Sequence, residues 1–226
     1  MSHMMQMCYH HYTSINREIK EGESSFNHEI VWPAIDLAVK SAATPIAFRL
    51  EEILLDASDE DFKANAIAEI GVMETLLLKA SGPYGIKDSN RFGRDHVKGT
   101  SRALTFLRKI LKTGYLATEG TKHKLKIVFV HARGIKMYFW KLEIPSEDAQ
   151  VLEHVISTKI ATSSNEIGKI LGLGNFIWKL KECSTHSCNS LKKVSREHEE
   201  YIVLKQLNSG VQPRTNLAAF VDKEIQ

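Results

Sequence analysis

The chain is poor in cysteine, proline and long apolar runs, and each shortage removes a class of protein. Its three cysteines, Cys8, Cys183 and Cys188, are an odd number without a Cys-x-x-Cys pair, which argues against a disulfide framework. The fragment Cys183-Ser-Thr-His186-Ser-Cys188 falls short of the four ligands of a structural zinc site unless His198 folds back to it. Thiols buried as small hydrophobes are the simpler reading. There is no low-complexity tract and no internal repeat. No run reaches the roughly 18 apolar residues of a membrane span, and the start, MSHMMQMCYHHY, has neither the basic region nor the apolar stretch of a secretory signal. A cytoplasmic or nuclear protein with no membrane partner is expected. Net charge is scarce as well: 30 Lys and Arg oppose 27 Asp and Glu, a formal +3, too little for chain-wide attraction to a polyanion. Contact with DNA or RNA must therefore come from local charge.

What is present is ordinary globular material, 43% hydrophobic and 25% charged, which folds rather than stays disordered. The expected organisation is a mobile arm over 1–24, an α/β core over 25–160, C-terminal helices packed on it over 161–207 and a frayed tail over 208–226. The fold class is α/β (α+β), with a central mixed sheet of about four strands flanked by helices. Phe26 to Lys40 is broadly helical, and Pro33 requires that the helix start there or bend. Residues 56–61 form an acidic solvated turn. Ile70 to Lys79 reads as a strand apolar on both faces, hence central. Gly82-Pro-Tyr-Gly85 is a loop. Arg94 to Lys112 is an amphipathic helix: Val97, Leu104, Leu107 and Leu111 share one face, with Arg94, Lys98, Arg102, Lys109 and Lys112 in an opposite arc. Lys124 to Val130 and Ile135 to Ile144 form a hairpin around Gly134. Ser146, Glu147 and Asp148 suit the start of a helix running to about Lys159, and two more helices are expected near 166–182 and 191–207.

Two features point to chemistry. Glu74 interrupts the apolar strand, and a carboxylate there is costly unless paired or used. It serves either as a structural ion-pair partner or as a ligand for a divalent cation such as Mg²⁺. The five-cation arc, Arg94, Lys98, Arg102, Lys109 and Lys112, is either a solvated helix face or a surface for phosphates that binds with salt-dependent, sequence-independent affinity; Lys122, His123, Lys124 and Lys126 extend it. Other residues are assigned bland roles: Asp95 and His96 a helix cap and a turn contact, and His131 a hairpin-end imidazole held by backbone carbonyls. Gly172-Leu-Gly174 lacks the third glycine of a dinucleotide loop. Phe176, Ile177 and Trp178 are candidates for a face that binds a protein partner or a second copy of the chain.

The run Glu69-Ile-Gly-Val-Met-Glu74, then Gly82-Pro-Tyr-Gly85, Lys87-Asp88, Phe92-Gly93 and Asp95-His-Val-Lys-Gly99, resembles a family of fungal proteins of uncharacterised function. The likeness continues through Arg108, Ile127 to Val130, His131-Ala-Arg-Gly134 and Phe139-Trp140, and it covers 61–145 best. The order of helix, acid-bearing strands, basic helix and hairpin looks like the restriction-endonuclease-like PD-(D/E)XK fold. In that fold an aspartate and a glutamate hold Mg²⁺, and a lysine two residues past the glutamate assists the attacking water, which is metal-assisted phosphodiester hydrolysis. The resemblance sets Glu74 at the glutamate, but it finds Asn65 at the aspartate and Leu76 at the lysine. It therefore implies a degenerate nuclease-like domain that binds nucleic acid without cleaving it. The competing expectation is a Mg²⁺-dependent nuclease using Glu74 with Glu69, Asn65 and Lys79 or Lys98.

Overall fold

The structure, a computed structural model, describes residues 22–42, 46–54, 63–146, 149–161, 163, 165–208 and 210–222. Cys8, most of the arm expected over 1–24 and the acidic run 56–61 lie outside them. Helix α1 joins α-helical Glu23–Phe26, a π-helical turn Asn27–Val31 and α-helical Trp32–Lys40. Pro33 accounts for the wide turn. It brings no N–H and its ring crowds the carbonyl of the preceding turn, so the helix loosens to π geometry just before it.

Six strands follow in one sheet: β1 Ala47–Leu54, β2 Lys63–Ile70, β3 Met73–Ser81, β4 Lys126–Arg133, β5 Lys136–Ser146 and β6 Ala149–Lys159. They lie side by side in chain order. All neighbours are antiparallel except β3 and β4, which run parallel. A parallel pair needs a crossover, and helix α2, Ser89–Thr113, supplies it. Short α3, Glu119–Lys122, the long α4, Ile167–Leu207, and a terminal turn α5, Ala219–Asp222, complete the chain. The class is the expected α+β with a mixed sheet flanked by helices, and the sheet has more strands than expected.

Each face of the sheet has its own core. On one, Leu76, Leu78, Val128, Val130 and Phe139 meet α1 and the first half of α4. On the other, Leu77, Ile127 and Phe129 meet Ala103, Phe106, Leu107 and Ile110 of α2. Alternate residues of β3 thus serve opposite cores, as expected for a central strand. Gly99 lets α2 approach closely, since a Cβ there would sit 2.3 Å from Cζ of Phe129.

Several expectations are corrected. The strand expected over 70–79 begins at Met73, because Gly71, at φ +62°, turns a hairpin in which Ile70 pairs with Met73 and Val72 is exposed. The segment expected as a helix to Lys159 is β6. Its Val151, Val155, Ile156 and Thr158 are β-branched and suit a pleated surface, and the open edge of β5 offers them a ladder. The two expected C-terminal helices are one of 41 residues, about 60 Å long. Its buried stripe runs Ile170, Leu173, Ile177, Leu180, Ser184, Ser187, Leu191 and Val194, and Ser187 Oγ donates to the Lys126 carbonyl at 2.8 Å. The tail expected to fray is anchored: Leu217 is buried, its N–H donates to the Tyr115 carbonyl, and Arg214 donates to the carbonyls of Leu116 and Glu197. Among the described residues no helix is long and apolar enough to cross a membrane.

Candidate functional site

Glu74 is only 3% exposed. Alternation from Leu76 and Leu78 would aim it at α1, but the β2–β3 register takes two steps on β3 for one on β2, from Ala68–Leu76 to Glu69–Glu74. This bulge re-aims the side chain toward α2, where Lys109 Nζ lies 3.7 Å from Oε2. Glu69 is its cross-strand neighbour, and Arg49 holds Glu69 at 2.9 Å. The two acids are therefore adjacent, and each faces a cation.

Asn65 is not with them. Its Oδ1 accepts the Ala80 N–H at 2.8 Å, which places it along β3 from Glu74 by roughly 20 Å at ~3.3 Å per residue. Lys79 sits near that same end, in register with His131, and Lys98 is exposed on α2. Mg²⁺ requires clustered oxygen donors, and among the described residues no group of three His, Cys, Asp or Glu side chains is placed to hold a metal. With one lone pair of Asn65 spent on the ladder and both carboxylates facing cations, this donor set does not fit the ion, and no hydrolytic step follows from it.

The basic arc is broken. Gly99 and Phe106 are buried, and Arg102 lies only about 40° from Phe106 on the helix circumference, so the buried face reaches round to it. Arg102 is 9% exposed, whereas Val97, expected in the core, is 68% exposed. Lys109 turns in to Glu74. Arg94, Lys98 and Lys112 keep the solvent-facing positions.

A polar network that sequence reasoning missed sits where β3 and β4 end. The Ser81 hydroxyl lies 2.6 Å from Asp95 Oδ2 and 2.7 Å from His131 Nε2, and Ser81 and His131 are fully buried. A carboxylate can only accept. The hydroxyl hydrogen therefore goes to Asp95, His131 donates through Nε2–H, and its Nδ1 is the bare nitrogen. Nδ1 has no hydrogen-bond partner among the described residues. Burial first, and then the charges of Arg133, His96 and Lys79, push the His131 pKa down to about 3. The three residues are those of a hydrolase triad, but the roles are wrong: the imidazole donates to the hydroxyl instead of accepting from it, and no solvent reaches the oxygen. Asp88, not Asp95, caps α2, accepting the Arg91 N–H at 2.9 Å. Asp95 and His131 thus serve the network rather than the cap and carbonyl contacts expected for them.

The α2 side of the sheet is only half covered. α2 packs mainly on β3 and β4 and meets β5 through His96, which leaves Tyr138 and Trp140 half-buried and His154 on β6 exposed. Four rings gather there. Trp140 lies 4.9 Å from His96 and 4.7 Å from His154, and Tyr138 lies 6.2 Å from His154. Arg133 stacks on Tyr138 at 4.4 Å. Arg94 and Lys98 are exposed on the outer side of α2, about 160° round the helix from His96, while Lys136 and Lys159 lie on the strands beside Arg133. The aromatic alternation of β5 was visible in the sequence, but the partial exposure of these rings was not. On α4, Phe176 and Ile177 are buried, whereas Trp178 is 43% exposed and donates Nε1–H to Glu182 at 2.9 Å; of the three residues expected in a protein-binding face, only Trp178 is at the surface. Comparison of the chain with family models, with curated proteins and with solved structures finds no match in any of the three.

Proposed function

We propose that this protein binds single-stranded nucleic acid, RNA or DNA, without hydrolysing it. The observation that carries the reading is the patch of half-buried Tyr138, Trp140 and His96 and exposed His154 beside the cations Arg133, Lys136 and Lys159. Proteins that hold single strands combine a positive track for the backbone with aromatic faces on which bases stack. Charge alone would suit any polyanion, whereas half-buried rings between cations suit unpaired bases. A duplex hides its base faces and gains nothing from the rings. The succession of helix, three antiparallel strands, helix and hairpin supports the nuclease-like architecture that the motif resemblance implies. The Glu74–Lys109 and Glu69–Arg49 pairs support its degenerate, non-hydrolytic form.

The test is fluorescence anisotropy with a labelled single-stranded oligonucleotide and the matching duplex, on wild type and Tyr138→Ala. Base–aromatic stacking contributes about 1–3 kcal/mol per base, so the variant should bind the single strand several-fold to a hundredfold more weakly and the duplex unchanged. Equal affinity of wild type for both forms, together with indifference to Tyr138→Ala, would refute the stacking surface.

A further inference from the structure

A cavity of about 450 Å³ opens where the loop after β3 meets the β4–β5 turn, and its wall includes Lys87, Ser89, Phe92, Arg133, Lys136 and Tyr138. It is preformed. Gly85 N–H donates to the Gly134 carbonyl at 3.0 Å, which ties the two loops together. Gly134 takes φ +57°, and a Cβ there would press to 3.2 Å on the Ile86 carbonyl. Small-molecule sites have volumes of roughly 300–1,000 Å³, so a nucleotide-sized ligand is within range.

The charges around it are unbalanced in a specific way. Arg133 is in register with Lys136, and Lys136 with Lys159. Three cations therefore stand in a row across β4, β5 and β6 at one end of the sheet. Side chains directly opposite one another have Cβ atoms about 5 Å apart, and like charges at that distance repel. No carboxylate lines the cavity, and among the described residues neither Lys87, Lys136 nor Lys159 forms an ion pair. The nearby acids are committed: Asp88 to the Arg91 N–H, and Asp95 to Ser81 and Arg91. An anion lying on such a row would relieve the repulsion. Arg133 is also oriented, its guanidinium lying 4.4 Å over the Tyr138 ring and 5.6 Å from the Phe92 ring. A guanidinium placed over a ring still has N–H groups free for hydrogen bonds to a phosphate.

We infer that this cavity binds the phosphate monoester of a nucleotide, with Arg133 and Lys136 on the phosphate and Phe92 and Tyr138 beside the nucleoside. The ligand is either a free mononucleotide or the terminal nucleotide of a strand, and the second source rests on the single-strand reading above. A phosphate monoester carries more charge than a backbone diester and exposes three oxygens, which matches a row of cations better than a single phosphate contact.

Calorimetric titration of the full chain decides it. The probes are adenosine 5′-monophosphate, adenosine, and one single-stranded oligonucleotide with a phosphate at its 5′ end, at its 3′ end or at neither. The monophosphate should bind saturably and adenosine at least tenfold more weakly. Lys136→Ala, a half-buried surface position checked for folding by circular dichroism, should weaken the monophosphate at least tenfold. Tighter binding of an oligonucleotide bearing a terminal phosphate assigns the site to strand ends, while equal oligonucleotide affinities beside a bound monophosphate assign it to free mononucleotide. If adenosine equals the monophosphate, if neither binds, or if folded Lys136→Ala matches wild type, the inference is overturned. His154→Ala, an exposed ring position outside the cavity wall, reports separately: oligonucleotide binding indifferent to it removes the single-strand reading and leaves the cavity standing.

Discussion

His131 shows how a side chain of familiar chemistry is set by its surroundings. Its bare Nδ1 is buried without an acceptor, so a proton added there would meet no partner and would face the charges of Arg133 and Lys79. With a folded pKa of about 3 against an ordinary value near 6.5, the unfolded chain binds a proton in this window and the folded one does not. Stability from this group is therefore complete above about pH 6.5 and is lost as the pH falls toward 3, by at most about 1.4 kcal/mol per pH unit. His96, also lowered by burial and by Arg133, acts in the same sense. Urea unfolding of wild type between pH 7 and pH 4.5 should show the decline, and His131→Gln should flatten it; parallel curves for the two proteins would show that His131 does not titrate as described. Little of this was legible in the sequence. Ser81, Asp95 and His131 come from three elements, and no local pattern announces that a serine at the end of β3 and a histidine of β4 meet. The burial of Glu74 was legible, because it stands among aliphatic residues in a strand, yet its partner Lys109 was not, since the bulge that turns it toward α2 leaves no mark in the alternation.

At the scale of elements, strong periodicity was readable and edges were not. The body of β3, the β4–β5 hairpin and α2 follow from period-two and helical patterns. β6 did not, because Val151, Leu152, Val155 and Ile156 satisfy helical spacing as well as strand composition, and only the free edge of β5 decides between them. α4 read as two helices because its stripe passes through Ser184 and Ser187, hydroxyls where aliphatics would show continuity. The orientation of α2 is the most testable element. Its close approach depends on Gly99, whose added methyl would collide with the buried Phe129 ring. Gly99→Ala should lower stability by about 1–3 kcal/mol through overpacking. Gly93→Ala, with nothing within 4 Å of the new carbon, should raise it by about 0.5–1 kcal/mol through helix entropy. Thermal or urea denaturation of the two variants measures both; equal effects would contradict the packing of α2 on β4.

At the scale of the whole molecule, and among the described residues, one sheet face is packed by α1 and the first half of α4, while the other is packed over β3 and β4 by α2, with Tyr138 and Trp140 left half-buried and His154 exposed on β5 and β6. Weak net charge concealed a concentrated one: Arg133, Lys136 and Lys159 line up across three strands on that side, and Arg94 and Lys98 stand exposed on the outer side of α2. The sequence displayed the helix cations as a stripe, but the fold takes Arg102 and Lys109 inward and replaces them with strand residues, so the charged surface is broader and set differently from the one the helix alone suggests. The measurement that tests this account most directly is the salt dependence of single-strand binding by wild type and Lys136→Gln/Lys159→Gln. Each neutralised phosphate of a single strand contributes about 0.7 to the slope of log affinity against log salt, so the variant should bind more weakly with a slope shallower by about 1.4. Identical slopes and affinities for the two proteins, or no salt-dependent binding by wild type, would contradict the claim that this face carries a nucleic-acid strand.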